Sequence, residues 1–563
     1  MSGQDQASAV LYADSDDVPW DETVDVAVAG SGAAGWSAAI AAASAGASVV
    51  VLEKADVAGG TTAKAGGVCD GERAGTWLWI CDNPLMAARG IEDPREDAIR
   101  YLARLAQPSL YRPEAPHLGL DAADHELLEA FYDHGRQVVR ALADDGVLDF
   151  LIVPDVLDYY SDLPENAASH GRTLGFRVAD AKEGIGAELV QALQGKALAL
   201  GVTLRLRCAV RAVVVDDNTG EVAGVLAGDR AATSRLIRTR GGVVFATGGF
   251  GSSPHLRREF LRGPVVASLS CAGNVGDFLP IASGLGAAMG NMNEGWLTPV
   301  VLDHAHDPAS GAFRLPGDSM LVVNRRGHRV VNEKATYNEM TRAFFHWDAT
   351  TAEYPNIPLI MIYDEWVARH CRRLPGDAPV TEGGGNPIPV RGRDDKHELS
   401  AATLDDLADE IGRHLDQYSG LLAGARLAPD FRAALRATID AFNTDAAAGQ
   451  DRDFGRGSSR VQRARSGPSH HSTGANPTMH PLAATGPYHA IVLVPGVFDT
   501  KGGPKIDKYG RIRTHDGGVI NGLYGAGNCV ASPAGQGYWG GGATLGLAVT
   551  FGYLAGRHAA GRG

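Results

Sequence analysis

The chain has 563 residues, a formal net charge of −14, 72 glycines and only 7% aromatic residues. Its length is enough for two domains with cores of their own, and the glycine content fits a loop-rich α/β enzyme better than a helical bundle. The acidic charge, with no long lysine- or arginine-rich run, excludes a nucleic-acid partner.

The composition also indicates a compartment. The polar, acidic N-terminus is not a signal peptide, and no apolar run is long enough to span a membrane, although a weak association with a membrane surface stays open. The six cysteines (69, 81, 208, 271, 371, 529) show no paired spacing, so we expect reduced thiols in a cytoplasmic protein. The spacing of His470, His471 and His480 matches no metal-ligand pattern, and no metal is expected.

The most informative element follows a predicted flexible tail at residues 1–20. A buried strand at Val24–Ala29 leads into Gly-Ser-Gly-Ala-Ala-Gly at 30–35, an alanine-rich helix to about Gly46, and a second strand at Val49–Leu52. This order is a dinucleotide fingerprint. Gly30 makes the tight turn, Gly32 lets the backbone approach a pyrophosphate, and Gly35 lets helix and strand pack closely.

The rest of the fingerprint supplies contacts to the nucleotide. Ala33 and Ala34 begin the helix whose N-terminus faces the phosphates, and Glu53, directly after the second strand, binds the ribose hydroxyls. Lys54 adjoins this acid. A glycine- and threonine-rich loop then extends the predicted site beyond the adenosine half, with contacts at Gly60, Thr61, Thr62, Gly66 and Gly67.

The far end of the chain decides between dinucleotides. Gly527 and Asn528 end a strand-like run, and Thr544 and Leu545 open an apolar helix to about His558. A helix N-terminus there would stabilise an anionic reduced flavin. Because nicotinamide enzymes do not need to close the site with their last forty residues, FAD is the predicted cofactor and NAD the alternative.

The middle of the chain predicts helices at 95–106, 122–144 and 184–200, and strands at Val202–Leu206, Val210–Val215 and Val222–Leu226. Another buried strand, at 242–249, ends in Thr247, Gly248 and Gly249, which we place at the cofactor together with Val210.

From about residue 286, polar segments alternate with short strands (Met320–Asn324, Pro358–Tyr363), a Gly/Pro/charge-rich loop at 374–398, and helices near 403–415 and 428–446. The predicted fold is α/β, with a discontinuous Rossmann-like FAD-binding domain (21–285 and 481–563) and an inserted α+β capping or catalytic domain (286–480). A substrate would bind where the two domains meet.

Taken together, these motifs resemble the flavoprotein superfamily of fumarate reductases and 3-ketosteroid dehydrogenases. The shared segments are the fingerprint with Glu53, the GGTT loop, ATGGFG at 246–251, VNRRGHRVVNE at 323–333, DTKGG at 499–503, and LYGAGN with GGGATLG near the end. The resemblance covers nearly the whole chain and implies FAD and a capping domain.

Three positions argue against the fumarate-reductase branch. The catalytic arginine, the histidine before T-x-G-G and the last carboxylate-binding arginine of that branch correspond here to Tyr337, Asp499 and Thr544. A dicarboxylate would be desolvated without a cationic partner, which costs several kcal/mol.

At the same positions the sequence resembles the 3-ketosteroid Δ1-dehydrogenases. This resemblance implies Tyr337 as the base, Tyr160 as a second tyrosine, and Tyr538 with the Gly542 N–H as the ketone-binding pair. Trp539 and the extra segment at 107–120 depart from that branch, and Trp539 is expected to reshape the pocket.

The resemblance implies an enzyme that introduces a C=C bond next to a ring ketone. Tyr538 and Gly542 would hold the oxygen, Tyr337 would remove the α-proton with help from Tyr160, and non-covalent FAD would accept the β-hydride. The substrate would be an apolar ketone, a steroid or another cyclic ketone, and electrons would pass to an external acceptor. The alternatives are Δ4-desaturation, a cyclohexanone-type substrate, an ene-reductase, and a non-catalytic electron-transfer subunit.

Overall fold

The computed structural model describes residues 9–69, 72–229, 234–308, 311–372, 385–389, 396–470 and 476–562. Most of the predicted loop at 374–398, together with His471, lies outside these residues, as does the side chain of Cys69. The strands are β1 (Val10–Ala13), β2 (Glu22–Ala29), β3 (Val49–Leu52), β4 (Gly67–Cys69), β5 (Glu72–Ala74), β6 (Leu78–Trp79), β7 (Asp149–Ile152), β8 (Thr173–Arg177), β9 (Thr203–Arg205), β10 (Ala209–Asp216), β11 (Val222–Gly228), β12 (Arg235–Phe245), β13 (Ala267–Ser268), β14 (Met289–Gly290), β15 (Gly295–Val301), β16 (Met320–Val323), β17 (Leu359–Asp364), β18 (Leu399–Ala401), β19 (Tyr488–Thr500), β20 (Gly503–Pro504), β21 (Arg511–Arg513) and β22 (Val519–Gly525).

The α-helices include two whose bounds equal the predicted ones, at 95–106 and 122–144, because each has a clear apolar stripe. They are α1 (Ala33–Ser44), α2 (Gly60–Lys64), α3 (Pro84–Ala88), α4 (Arg95–Ala106), α5 (Ala122–Asp144), α6 (Gly186–Ala199), α7 (Pro254–Phe260), α8 (Phe278–Gly284), α9 (Tyr337–Arg342), α10 (Glu365–His370), α11 (Leu404–Gln417), α12 (Phe431–Ala448), α13 (Arg460–Ala464) and α14 (Ala543–Ala560).

A nine-stranded sheet forms the first layer, in the order β1-β10-β11-β12-β2-β3-β9, with β22 and β21 attached beside β12. Strands β2 and β3 pair in parallel and end in all-apolar runs because both of their faces are buried. Helix α1 packs against α14, and glycines make this possible: an added Cβ at Gly552 or Gly556 would lie 2.3 or 2.0 Å from the carbonyl oxygens of Ala34 and Ala38.

The N-terminal segment differs from the predicted tail from residue 9 onward. Val10–Ala13 form an edge strand that pairs in parallel with β10. Only one of its four side chains is buried, so the pairing depends mainly on backbone hydrogen bonds. A hydrophobic pattern in the sequence therefore does not show it.

A six-stranded second sheet has its own hydrophobic core. Its central strand β19 pairs with β13, β15, β17 and β18, and β16 pairs with β17. Strand β19 ends at Thr500, so this sheet extends beyond the predicted bounds of 286–480 on the C-terminal side. It also includes β13 on the N-terminal side. The predicted strands at 320–324 and 358–363 are β16 and β17.

Candidate active site

The dinucleotide fingerprint has the geometry that its glycines predict. Gly30 has φ +101°, and a Cβ there would lie 2.4 Å from the carbonyl oxygen of Ala246. At Gly35 a Cβ would lie 2.0 Å from the Gly30 carbonyl oxygen. Gly32 is different: its nearest neighbour would be the Thr62 hydroxyl at 3.4 Å, which leaves the backbone open to a ligand. This cradle fits a pyrophosphate.

Glu53 lies at the carboxyl end of β3 and is buried. Its carboxylate accepts hydrogen bonds from the Ser31 N–H (3.1 Å), the Ser31 hydroxyl (2.6 Å) and the Ala55 N–H (2.8 Å). The Cys208 N–H donates to the Glu53 carbonyl at 2.8 Å, which brings the start of β10, and with it Val210, to the same edge of the sheet. Lys54 forms an ion pair with Asp277.

The glycine-threonine loop forms the short helix α2 beside the N-terminus of α1. Thr62 accepts a hydrogen bond from the Ala33 N–H at 3.1 Å. Thr61 accepts from the Cys271 N–H (2.9 Å) and the Asn274 side chain (3.1 Å). Gly60 begins this helix, and Gly66 and Gly67 follow it. The predicted residues therefore extend the cradle from the fingerprint toward the second sheet.

The C-terminal contacts meet the fingerprint from the other side. A Cβ on Gly527 would lie 3.1 Å from the Cβ of Ala34. One cavity is lined by Gly527, Asn528, Thr544 and Trp296, with Leu545 next in sequence. Thr247 and Gly248 follow β12, and a Cβ on Gly30 would lie 3.2 Å from the Thr247 Cα, so the ATGGFG loop abuts the cradle. These positions can hold a dinucleotide that is longer than its adenosine half.

Asp499 has a structural role that the sequence did not show. Its carboxylate is fully buried and accepts from the N–H groups of Gly249 (3.0 Å) and Gly251 (3.2 Å) and from the side chain of Asn274 (2.6 Å). Burial raises the pKa of Asp499, and the hydrogen bonds from backbone N–H groups oppose that rise. Asp499 thus joins the end of β19 to the ATGGFG loop.

Three tyrosines from distant segments of the chain converge. The Tyr159 and Tyr337 hydroxyls are 2.7 Å apart, and the Tyr538 ring centroid lies 5.3 Å from the Tyr159 ring and 5.5 Å from the Tyr337 ring. Burial raises the pKa of Tyr337 well above its usual range, and the Tyr159 and Tyr538 hydroxyls raise it further. Burial also raises the pKa of Tyr538, whereas its hydrogen bonds with Tyr337 and Thr544 oppose this rise. The cluster is therefore protonated unless another group stabilises its charged form.

The expected contact of Tyr160 with Tyr337 is not formed; Tyr159 makes it instead. Burial raises the pKa of Tyr160, and its hydroxyl is hydrogen-bonded to Glu339, away from the cluster. The segment around 154–172 contains no described strand whose alternation would tell the two tyrosines apart. The structure positions Tyr159 through its neighbour Asp158, whose carboxylate is bound by the buried Arg172 at 2.5 Å and by the Trp79 indole at 2.7 Å.

Tyr538 and Gly542 flank the turn into α14. Gly542 is the N-cap of α14 with φ +95°, and a Cβ there would lie 2.6 Å from the Trp77 carbonyl, so only glycine fits. Among the hydrogen bonds of the described residues, none uses the Gly542 N–H. The amide is therefore available to a ligand at a helix N-terminus.

Trp539, which departs from the Δ1-dehydrogenase pattern, belongs to the hydrophobic core. It is fully buried and packs against Trp79 and Phe131, both with ring centroids 5.6 Å away. Its carbonyl accepts hydrogen bonds from the Tyr101 hydroxyl (2.9 Å) and the Tyr159 N–H (3.0 Å). Trp539 thus fixes the Tyr538 turn to the Tyr159 segment.

A buried ionic network precedes Tyr337, which begins α9. Glu333 accepts from Arg329 at 2.7 Å, and Arg329 also binds Asp451 at 3.0 Å. Two of the charges on the VNRRGHRVVNE segment are thus paired with each other inside the protein. This network holds the backbone four residues before Tyr337.

Two further groups near the tyrosines had no signal in the sequence. Lys501, in the DTKGG segment, is fully buried, and its ammonium donates to the Gly537 carbonyl at 2.6 Å. It also lies 4.0 Å from the centroid of the Trp296 ring, which packs on Tyr538 at 4.8 Å. Arg465 lies over the rings of Tyr159 and Tyr337.

The described part of the chain contains no group of three His, Cys, Asp or Glu side chains that could hold a metal ion. His470 stacks between Trp366 and His480 and hydrogen-bonds to Asp318 at 2.8 Å. No described helix is long and apolar enough to cross a membrane.

With this geometry in place, the comparisons with known proteins define the class. Residues 25–545 match the family described as FAD binding domain. The chain belongs to this family and is an FAD-dependent oxidoreductase.

Its relatives are similar over nearly their full length. The chain is 30% identical to 3-oxosteroid 1-dehydrogenase of Mycobacterium tuberculosis strain H37Rv, covering 95% of this chain and 98% of that protein. It is 29% identical to 4-oxocyclohexanecarboxylate 2-dehydrogenase of Sinomonas cyclohexanicum, covering 96% of this chain and 93% of that protein. The crystal structure of 3-ketosteroid Δ1-dehydrogenase from Sterolibacterium denitrificans, in complex with 1,4-androstadiene-3,17-dione, has the same fold. Its TM-score is 0.79 at 24% identity, covering 96% of this chain and all of that one.

Proposed function

We propose that this protein dehydrogenates the C–C bond next to a ring ketone, with Tyr538 and Gly542 binding the oxygen and Tyr337 taking the α-proton. The observation that carries the proposal is the tyrosine cluster itself: a hydroxyl pair 2.7 Å apart beside a third tyrosine and an available helix N-cap amide. Core packing alone gives no reason for three buried hydroxyls to meet.

The roles follow from position. Gly542 is the N-cap of α14, and the Tyr538 hydroxyl is hydrogen-bonded to Thr544 in its first turn, so the N-terminal partial charge of this helix favours a developing enolate oxygen beside both groups. This polarisation acidifies the α-proton, and Tyr337, hydrogen-bonded to Tyr159, accepts it. FAD, held by the cradle of Gly30, Gly32 and Glu53, would supply the hydride acceptor when bound. The product is an α,β-unsaturated ketone, and an external acceptor would take up the two electrons removed from the substrate.

The substrate belongs to the ring ketones. The two relatives above are named for an oxosteroid and an oxocyclohexanecarboxylate, so the feature their names share is an oxo group on a six-membered ring. Aromatic side chains surround the tyrosine cluster, including Phe313 and Phe498 at 5.3 and 5.9 Å from the Tyr337 ring, which suits an apolar ring. We further propose that the FAD is non-covalent and that the protein works in the cytoplasm.

The test is anaerobic bleaching of the bound flavin. The FAD-loaded protein is mixed with saturated ring ketones from cyclohexanone, through 4-oxocyclohexanecarboxylate, to 3-oxosteroids, with the matching alcohols as controls. Loss of the flavin absorbance near 450 nm with a ketone, and not with its alcohol, supports the proposal. A flavin that stays oxidised with every ketone contradicts it and favours an electron-transfer subunit.

A further inference from the structure

Arg465 lies directly after α13 and is almost completely buried, with 4% of its surface exposed. Its guanidinium carbon is 5.6 Å from the centroid of the Tyr159 ring and 5.7 Å from that of the Tyr337 ring. One of its N–H groups donates to the Phe313 carbonyl, which fixes the side chain over the pair. The two rings under this cation are those whose hydroxyls share a proton at 2.7 Å.

A buried tyrosine cannot act as a base without help. Burial disfavours the tyrosinate and raises the pKa of Tyr337 well above its usual range. A fixed cation nearby has the opposite effect because it stabilises the anion in surroundings of low dielectric constant. At the third tyrosine of the cluster, Tyr538, burial raises the pKa, and the charge of Arg465 is one of the effects that oppose this rise.

The other charged side chains near the tyrosine cluster interact with groups outside it. Asp158, next to Tyr159, is bound by Arg172 and the Trp79 indole. Lys501, on the segment after β19, faces the Trp296 ring and the Gly537 carbonyl.

On α9, the element that carries Tyr337, the charged groups also have their own partners. Glu339 is hydrogen-bonded to Tyr160 and to the side chain of Asn338 (2.7 Å). Arg342 pairs with Glu294 and donates to the Gln536 carbonyl at 2.5 Å. Arg465 is the cation that lies over the rings of both Tyr159 and Tyr337.

We propose that Arg465 stabilises the deprotonated form of the Tyr159–Tyr337 pair and so sets the pH above which the pair can accept a proton from the substrate. The inference rests on the proposed role of Tyr337 as the base. Arg465 acts through the tyrosines, so it is a positioning residue in this reaction.

The experiment uses the full-length, FAD-loaded protein with Arg465→Gln, Arg465→Met and Arg465→Lys. Arg463→Gln is the matched control, because Arg463 lies on α13, two residues before Arg465, is exposed, and directs its side chain to the Gly457 carbonyl. Anaerobic flavin reduction by a saturating neutral ring ketone is followed from pH 6 to 10. The two neutral variants should shift the rising limb of the rate profile upward by about one pH unit, which is a roughly tenfold lower rate on that limb. Lysine should restore much of the shift, and the control should overlay the wild type.

A second readout does not need turnover. Tyrosinate absorbance near 295 nm, titrated in each protein and in Tyr337→Phe, should show a buried tyrosine that ionises at higher pH in the neutral variants than in the wild type. If no ketone reduces the wild-type flavin, the proposed function fails, and this titration still decides the role of Arg465.

Two results would overturn the inference. One is an unchanged pH profile and tyrosinate titration in both neutral variants, with flavin content preserved. The other is a loss confined to the KM of a ring ketone that carries a carboxylate, which would assign Arg465 to substrate binding instead. Because Arg465→Gln and Arg465→Met differ in shape, the test can still be made with one of them if the other fails to fold.

Discussion

Replacing Lys501 with methionine should flatten the dependence of stability on pH above neutrality. Burial lowers the pKa of Lys501 from 10.5 to about 7, and Glu294 opposes that shift. In the unfolded chain the lysine keeps its proton up to its ordinary pKa, whereas the folded protein releases it near pH 7. Unfolding therefore takes up a proton between these values, and stability rises with pH across that window.

The size of the effect follows from the two pKa values. Between pH 7 and pH 9 this group alone adds about 2 kcal/mol to the free energy of unfolding. Divided by the unfolding entropy expected for a chain of this length, this free energy corresponds to a rise in Tm of about 2 °C. Methionine keeps the packing against Trp296 without a titrating group, so the variant should lack this rise.

The assay is the melting temperature of the FAD-loaded wild type and variant at pH 7, 8 and 9. Every other titrating group is common to both proteins, so the difference between them isolates Lys501. Lys505→Met, at a partly exposed lysine of the same segment, is the control and should keep the wild-type slope. Parallel curves for the wild type and Lys501→Met would refute the reasoning, because they would mean that Lys501 keeps its proton when the protein folds.

Three further predictions concern the cofactor and the tyrosines. Tyr538→Phe should bind FAD normally and lose roughly 10²–10³-fold in turnover, the usual effect of removing one oxyanion donor, and unchanged turnover would mean that the ketone is not held there. Tyr159→Phe should slow ketone-driven flavin reduction far more than Tyr160→Phe, because the Tyr159 hydroxyl is hydrogen-bonded to Tyr337 whereas that of Tyr160 is hydrogen-bonded to Glu339; equal rates in the two variants would contradict this. Acid precipitation should leave a colourless pellet, since the loop at Thr61–Thr62 has no histidine to link the flavin, and a yellow pellet would show a covalent bond.

Local sequence patterns were enough to predict the fingerprint and the longer helices, α4 and α5 among them. Helices α4 and α5 each have a clear apolar stripe, and Gly30 and Gly35 of the β2–α1–β3 unit each have a steric reason. The predicted FAD class is confirmed by the family match, because its motifs lie in contiguous stretches of chain.

Pairings between distant segments could not be predicted from local sequence patterns. The apolar run of β19 would suit either sheet, and its pairing with β13, β15, β17 and β18 assigns it to the second one. Asp499 binds Gly249 and Gly251 across about 250 residues of sequence, and Arg465 meets Tyr159 only after folding. Two adjacent tyrosines outside a strand give no periodicity, so Tyr160 was predicted where Tyr159 makes the contact.

The most direct test of the proposed chemistry is the rate of anaerobic flavin reduction by a ring ketone in Tyr337→Phe. The substitution removes one hydroxyl and keeps the buried ring, so flavin content and the spectral change on ketone binding should persist through Tyr538 and Gly542. The rate should fall roughly 10²–10⁴-fold, the usual loss for a general base, and fumarate should reoxidise the reduced flavin of neither protein. An unimpaired Tyr337→Phe variant, or rapid fumarate turnover by the wild type, would contradict the account.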